Sequence, residues 1–235
     1  MTAAEIVDQI KPLGKDSYKS VIMKHGIREP VFGVAISELK KIQKVVKRDY
    51  QTALDLYATG IFDAMYLAGL IADDMKMTQA DLQNWVEKAY CHTIAENVVA
   101  WVASEGRFGQ EIGLKWIDSD QEMIADAGWA TLYGLLALKS DAELDLDMIK
   151  GLLDRIKKNI HTSPNRVRSA MNSYVISVGS YVAPLTSLAL ATANEIGPVM
   201  VDVGDTSCKI ASAPERIQKM IDSGSVGKKK KSVKC

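Results

Sequence analysis

The sequence predicts an all-α fold, a solenoid of antiparallel helix pairs with an extended C-terminal arm. Three observations predict it. Apolar residues recur at helical spacing through most of the 235 residues. Proline is sparse inside those blocks, where Ala, Leu, Ile, Val and Lys are common. The gaps between blocks are mostly about two to six residues, so consecutive helices lie antiparallel, and a pair recurs roughly every 30–40 residues. No sequence identity repeats with that period, and a compact irregular helical bundle also satisfies the pattern.

Helices are expected near 3–10, 16–25, 33–47, 50–58, 61–74, 78–89, 92–104, 107–117, 120–138, 145–161, 164–182, 184–196 and 213–223. Thr78-Gln79-Ala80-Asp81 is a capping box with Asp in place of Glu, and Leu82, Trp85 and Val86 follow as the apolar face. Around 115–129 one helix ends on Trp116 and Ile117, and Asp118, Ser119 and Asp120 form a polar turn. In the next helix, Ala127 and Gly128 allow a neighbour to approach closely and Trp129 fills the contact. The acidic run Asp141, Glu143, Asp145 and Asp147 suits a helix N-terminus and lacks the Gly and terminal Glu of a calcium loop. After it, Leu146, Ile149, Leu153, Ile156 and Ile160 make one apolar stripe. Ser163 and Pro164 then open a helix carrying Val167, Met171, Tyr174, Val178 and Tyr181 on one face.

Residues 197–212 break the pattern, since Val199, Val201 and Val203 alternate with Met200 and Asp202. A lone strand is weakly stable, so this segment is expected to lie extended over the helices. The chain divides on this reading into a helical-repeat domain, 1–196, and an arm, short helix and lysine tail, 197–235. The tail, Lys228-Lys229-Lys230-Lys231, reads either as a solubilising end or as a phosphate-contacting arm.

The net charge is zero, but its distribution is uneven: +4 over 1–50, −11 over 51–150, +3 over 151–200 and +4 over 201–235. Basic ends flank an acidic middle, so a nucleic-acid partner belongs on the ends. No apolar run approaches the ~20 residues of a membrane span, and no signal peptide opens the chain, so no membrane partner is expected. Cys91, Cys208 and Cys235 have no metal-ligand spacing and suit a reducing cytoplasm.

No phosphate-cradling glycine loop, zinc motif or nucleophile elbow is present, and His25, His92 and His161 lie far apart. Neither a metal nor a cofactor is expected. His92 and Glu96 are i and i+4, a pairing that serves either as a surface contact or as an acid/base unit. Asn165, Arg168 and Asn172 share one side of a helix near its N-terminus, where a phosphate finds free N–H groups and a guanidinium. Arg166 points away from Arg168 by about 200°. An acidic neighbouring helix is the other expected partner for Arg168.

The order of elements and several short motifs give the chain a resemblance to the AlkD-like DNA alkylation repair family, over about residues 20–190. The anchors are His25-Gly26-Ile27-Arg28-Glu29-Pro30, the block Phe62 to Asp74, Asn84-Trp85, and residues 115–133. The resemblance implies a HEAT-like α-solenoid, duplex DNA as partner and, for active members, release of alkylated bases. Such members carry a Trp, an Asp four residues on and an Arg on a later helix. The carboxylate stabilises positive charge developing on the deoxyribose. Here Trp85 matches the Trp, Ala89 stands at the Asp position and Asp126 at the Arg position. Glu96 is then the candidate charge-stabilising group, with Trp85, His92 and Tyr90 lining the site. Asn165, Arg168, Asn172, Lys228, Lys229, Lys230 and Lys231 are the candidate nucleic-acid contacts. The alternative function is a catalytically silent scaffold that binds a protein partner.

Overall fold

Capping chemistry and apolar spacing place the helices close to where the sequence puts them. The computed structural model describes residues 1–234, so the expectation attached to Cys235 lies outside the described residues. In order the helices are α1 (Ala3–Ile10), α2 (Asp16–Met23), α3 (Ile36–Val46), α4 (Tyr50–Ala58), α5 (Phe62–Ile71) and α6 (Gln79–Lys88). Then α7 begins as a π-helical turn (Thr93–Val99) and continues as α-helix (Ala100–Glu105). The remainder are α8 (Gly109–Trp116), α9 (Glu122–Leu138), α10 (Leu146–Asn159), α11 (Asn165–Tyr181), α12 (Thr186–Ile196) and α13 (Ala213–Asp222). No β-strand occurs among the described residues.

The capping box at Thr78 forms as expected, with the Asp81 carboxylate in the role usually filled by Glu. Asp145 caps α10 by accepting from the Asp147 and Met148 amides. Before α11, Ser163 does not cap; its hydroxyl donates to the Asn159 carbonyl, and the helix starts at Asn165.

The helices stack in two rows. An inner row runs α3, α5, α7, α9, α11 and α13, each packed on the next; α1, α4, α6, α8, α10 and α12 flank it. The pairs are therefore α4–α5, α6–α7, α8–α9 and α10–α11. Antiparallel pairing makes the inner helices parallel to one another, so their C-terminal ends share one edge. Gly128 is where α9 meets the end of α8: a Cβ there would come within 2.7 Å of the Ile117 nitrogen. Trp129 is fully buried and meets Tyr174 of α11 edge-on at 5.4 Å.

α13, beyond the arm, packs into the same core as the helices before it. α13 buries Ala213 and Ile217 in the same cluster as Val178 of α11 and Ala189 of α12. A Cβ on Gly179 would clash with Ile217, so the missing side chain on α11 lets α13 dock.

Two straps border the inner row. The arm, 197–212, is extended and pinned to the N-terminal half of α11. Asn165 exchanges two hydrogen bonds with the Asp202 backbone (2.8 and 2.7 Å), and Asn172 donates to the Ala211 carbonyl (2.9 Å). At its tip, Gly204 lies against the Lys24 carbonyl beyond α2.

The lysine tail is ordered along the opposite edge. Gly227 donates to Ser180; the Lys229 ammonium donates to the Tyr181 and Leu136 carbonyls (2.6 and 3.0 Å) and pairs with Asp141 (2.9 Å). The Lys230 amide donates to Ala137, and Ser232 and Val233 both donate to Glu105. Lys234 ends the strap on Asp74 at 2.6 Å, with the carboxylate almost fully buried. The tail thus visits the C-terminal ends of α11, α9, α7 and α5 in turn.

Candidate functional site

The break between α6 and α7 decides where Glu96 points. Ala89 is extended, so the helix bearing Trp85 stops at Lys88 and a new one starts at Thr93. A π turn carries one extra residue per turn and shifts the faces of the residues within it. His92 and Glu96 therefore do not pair as an α-helical i, i+4 couple. The Glu96 carboxyl instead meets Asp126 of α9, a residue with no exposure at all.

Two carboxyls within hydrogen-bonding reach need a proton between them. Both Asp126 oxygens lack any other partner. Burial, followed by the neighbouring Glu96 charge, raises the Asp126 pKa far above the carboxylate range. Burial also raises Glu96, while the bond from Asp126 and the nearby Arg166 oppose the rise. Asp126 is accordingly the protonated donor and Glu96 the carboxylate.

Arg166 lies beside this pair, and further basic and aromatic groups lie by the neighbouring Cys91 and His92. Arg166 opens α11, and its backbone amide donates to Glu122 of α9 at 2.6 Å. Its guanidinium forms no ion pair among the described residues, and its field lowers the pKa of His92 and opposes the rise at Cys91. His92 is pushed down to about 4 by burial, Arg166 and His25, so it is neutral at physiological pH. The Arg28 guanidinium sits 5.0 Å over the Tyr90 ring, a cation–π contact. Asp63 fixes the backbone beyond Arg28 by accepting from Phe32 and Val34 at 2.6 and 2.7 Å.

Glu96 also lines a cleft of about 130 Å³ with Trp101, Tyr133, Tyr181, Lys230 and Val233. The last two belong to the tail, so the strap closes one side of the cleft. Tyr133 is raised far above its ordinary value by burial and by the two acids.

The other expected residues lie elsewhere. Trp85 is almost fully buried and stacks on Tyr57 at 4.1 Å, while the Tyr57 hydroxyl donates to its carbonyl. It locks α6 to α4 and does not line the cleft. Asn165 and Asn172 hold the arm, and Arg168 reaches only Asn165, at 3.5 Å. Lys229 is engaged by carbonyls, whereas Lys228, Lys230 and Lys231 have exposed side chains. Among the described residues no group of three His, Cys, Asp or Glu side chains is placed to hold a metal ion. Among the described residues no single helix is long and apolar enough to cross a membrane.

Sequence reasoning missed Asp126 as the partner of Glu96, and it missed Tyr133, Arg28 and Arg166. Only for Arg166 was there a signal: its divergence from Arg168 puts one of the two arginines on the side of the acid pair.

A family model described as DNA alkylation repair enzyme matches residues 8–201. Two uncharacterized proteins, from Listeria innocua and Listeria monocytogenes, are each 25% identical over 225 residues, covering 93% of this chain and 97% of their own. A solved structure is 37% identical with a TM-score of 0.92, each chain covered in full. It is described as a new family of proteins related to the HEAT-like repeat DNA glycosylases with affinity for branched DNA structures.

Proposed function

The chain belongs to the DNA alkylation repair enzyme family, and we propose that within it this protein binds nucleic acid, with branched DNA as its preferred form. The single observation that carries the reading is the likeness over full length, at 37% identity, to a protein described by that affinity. It favours DNA over a protein partner. The chemistry of the acid pair points the same way. Stabilising a developing deoxyribose cation asks for a full carboxylate charge against the sugar. Here a buried neutral acid hydrogen-bonds the carboxylate and disperses its charge. Arg28 and Arg166 supply phosphate contacts on this side, and Asn165, Arg168 and Asn172 act through the arm they hold. A cytoplasmic location fits the cysteine usage.

A fluorescence-anisotropy titration with a four-way junction and a matched linear duplex, at several salt concentrations, tests this. Tighter, salt-dependent binding to the junction is expected. Absence of salt-dependent affinity for either DNA would sink it.

A second reading has one observation in its favour: Glu96 lines a cleft walled by Trp101 and Tyr133. On that reading Glu96 acts in release of alkylated bases, with His92, Tyr90 and Trp85 supporting the site. Glu96→Gln then abolishes base release and leaves binding intact; unchanged turnover removes Glu96 from any mechanism.

A further inference from the structure

The C-terminal edge of the inner row carries more positive charge than the acids bonded to the strap offset. At the end of α3, Lys44, Lys47 and Arg48 are exposed and line a cavity of about 440 Å³ together with Glu105 of α7 and Ser232 and Lys234 of the tail. At the other end of the strap, Lys228, Lys230 and Lys231 are exposed. None of these six forms an ion pair among the described residues. The acids beneath them are already engaged: Asp141 with Lys229, Glu105 with Ser232 and Val233, and Asp74 with Lys234. Lys47 has φ 64° and ψ −135°, a conformation that side-chain-bearing residues rarely adopt. A glycine would sit there without strain, yet the position carries a cation.

The strap gives this charge a fixed spacing. Lys229 and Lys234 point inward and anchor it at two places, so the lysines between them do not wander as a free tail would. With inner helices ~8–10 Å apart, the four spacings from the end of α3 to the end of α11 come to roughly 32–40 Å. One turn of duplex is about 34 Å. Between this edge and Arg166 lies the Glu96 carboxylate, which lines the cleft that Lys230 borders and interrupts the positive charge. The two edges therefore offer separate seats rather than one continuous basic surface.

We propose that this C-terminal edge is a second nucleic-acid surface, which takes the phosphodiester backbone of one duplex arm of a branched DNA. It rests on the branched-DNA reading above and extends it: a branch point splays its arms, and this edge holds an arm that the Arg28–Arg166 side does not reach.

The test uses the full chain with Lys44, Arg48, Lys228, Lys230 and Lys231 each changed to Gln. The anchors Lys229 and Lys234 stay in place, and an unchanged Tm verifies the fold. Affinity for a four-way junction is expected to fall at least tenfold, and linear-duplex affinity less than threefold. The slope of log K against log salt should shrink by about 0.9 for each phosphate that the variant no longer neutralises. Unchanged junction affinity, or an equal loss on both DNAs, overturns the second surface while leaving the branched-DNA reading intact. A wild-type protein with no preference for the junction removes that reading, and this proposal with it. Lys229→Ala in the otherwise wild-type chain supplies a positioning control: freeing the strap should weaken junction binding although no exposed lysine is removed.

Discussion

The two ends of the inner-row helices are held by opposite chemistries. At the N-terminal ends the partners are an acid and amides: Glu122 accepts from the first amide region of α11, and Asn165 and Asn172 tie down the arm. At the C-terminal ends the partner is a lysine strap, with one ammonium donating to the last-turn carbonyls of α9 and α11 at once. Helix ends carry partial positive charge at the start and partial negative charge at the finish. The same polarity thus sorts acids to one edge and lysines to the other. The difference teaches that the tail is a structural element first, whose leftover cations become available because two of its members are engaged.

The largest expected effect sharpens that contrast. Lys229→Ala removes a charged donor from two helix ends and leaves Asp141 without its cation. A loss of about 2–3 kcal/mol follows, read as a Tm lower by roughly 5–10 °C for a chain of this size. A Tm within 1 °C of wild type would break the comparison.

Next comes the buried acid pair near the other edge. The native state keeps the Asp126 proton at a pH where the unfolded chain, with a pKa of about 3.9, has lost it. Stability from this group therefore falls as pH rises from the unfolded value through the raised native one. Asp126→Asn keeps a donor toward Glu96 and needs no proton. It should flatten the fall in Tm between pH 5 and pH 8 and leave the variant a few degrees above wild type at pH 8. An unaltered pH profile would show that no proton is shared.

The smallest effect is at the arm. Asn165→Ala removes two neutral hydrogen bonds at a half-exposed site, costing about 1 kcal/mol. Limited proteolysis should cut 197–212 before the helices are touched, whereas in Lys229→Ala the tail is cut first. Simultaneous release of both straps in either variant would mean that the edges are not independent.

Much of the fold is legible in the sequence because its signals are local. The stripe from Leu146 to Ile160, the box at Thr78 and the Ala-Gly-Trp step act within one helix or across one turn. The site is less legible because its partners are brought together by stacking. Glu96 and Asp126 are thirty residues apart, and nothing in either segment announces the other. Ala89 looks helical by propensity, yet the chain turns extended there, which removes the face on which Glu96 and Trp85 would be read together. Trp85 itself is ambiguous from sequence, since an apolar helical face serves a core as well as a site, and packing on Tyr57 decides for the core. Composition describes the lysines as a charge run, and it cannot register that helix C-termini wait for them some ninety residues upstream.

The π turn at Thr93–Val99 has a further consequence for how such a scaffold changes over time. Removing one residue from it would restore the α repeat and swing one half of the helix by about 100° against the other. Glu96 would turn away from Asp126 while α5 and α9 kept their places. A single-codon insertion or deletion is thus the smallest edit by which a helical-repeat protein can re-aim one side chain, leaving its neighbours undisturbed, and lineages of this fold can acquire or lose an acid site in one step.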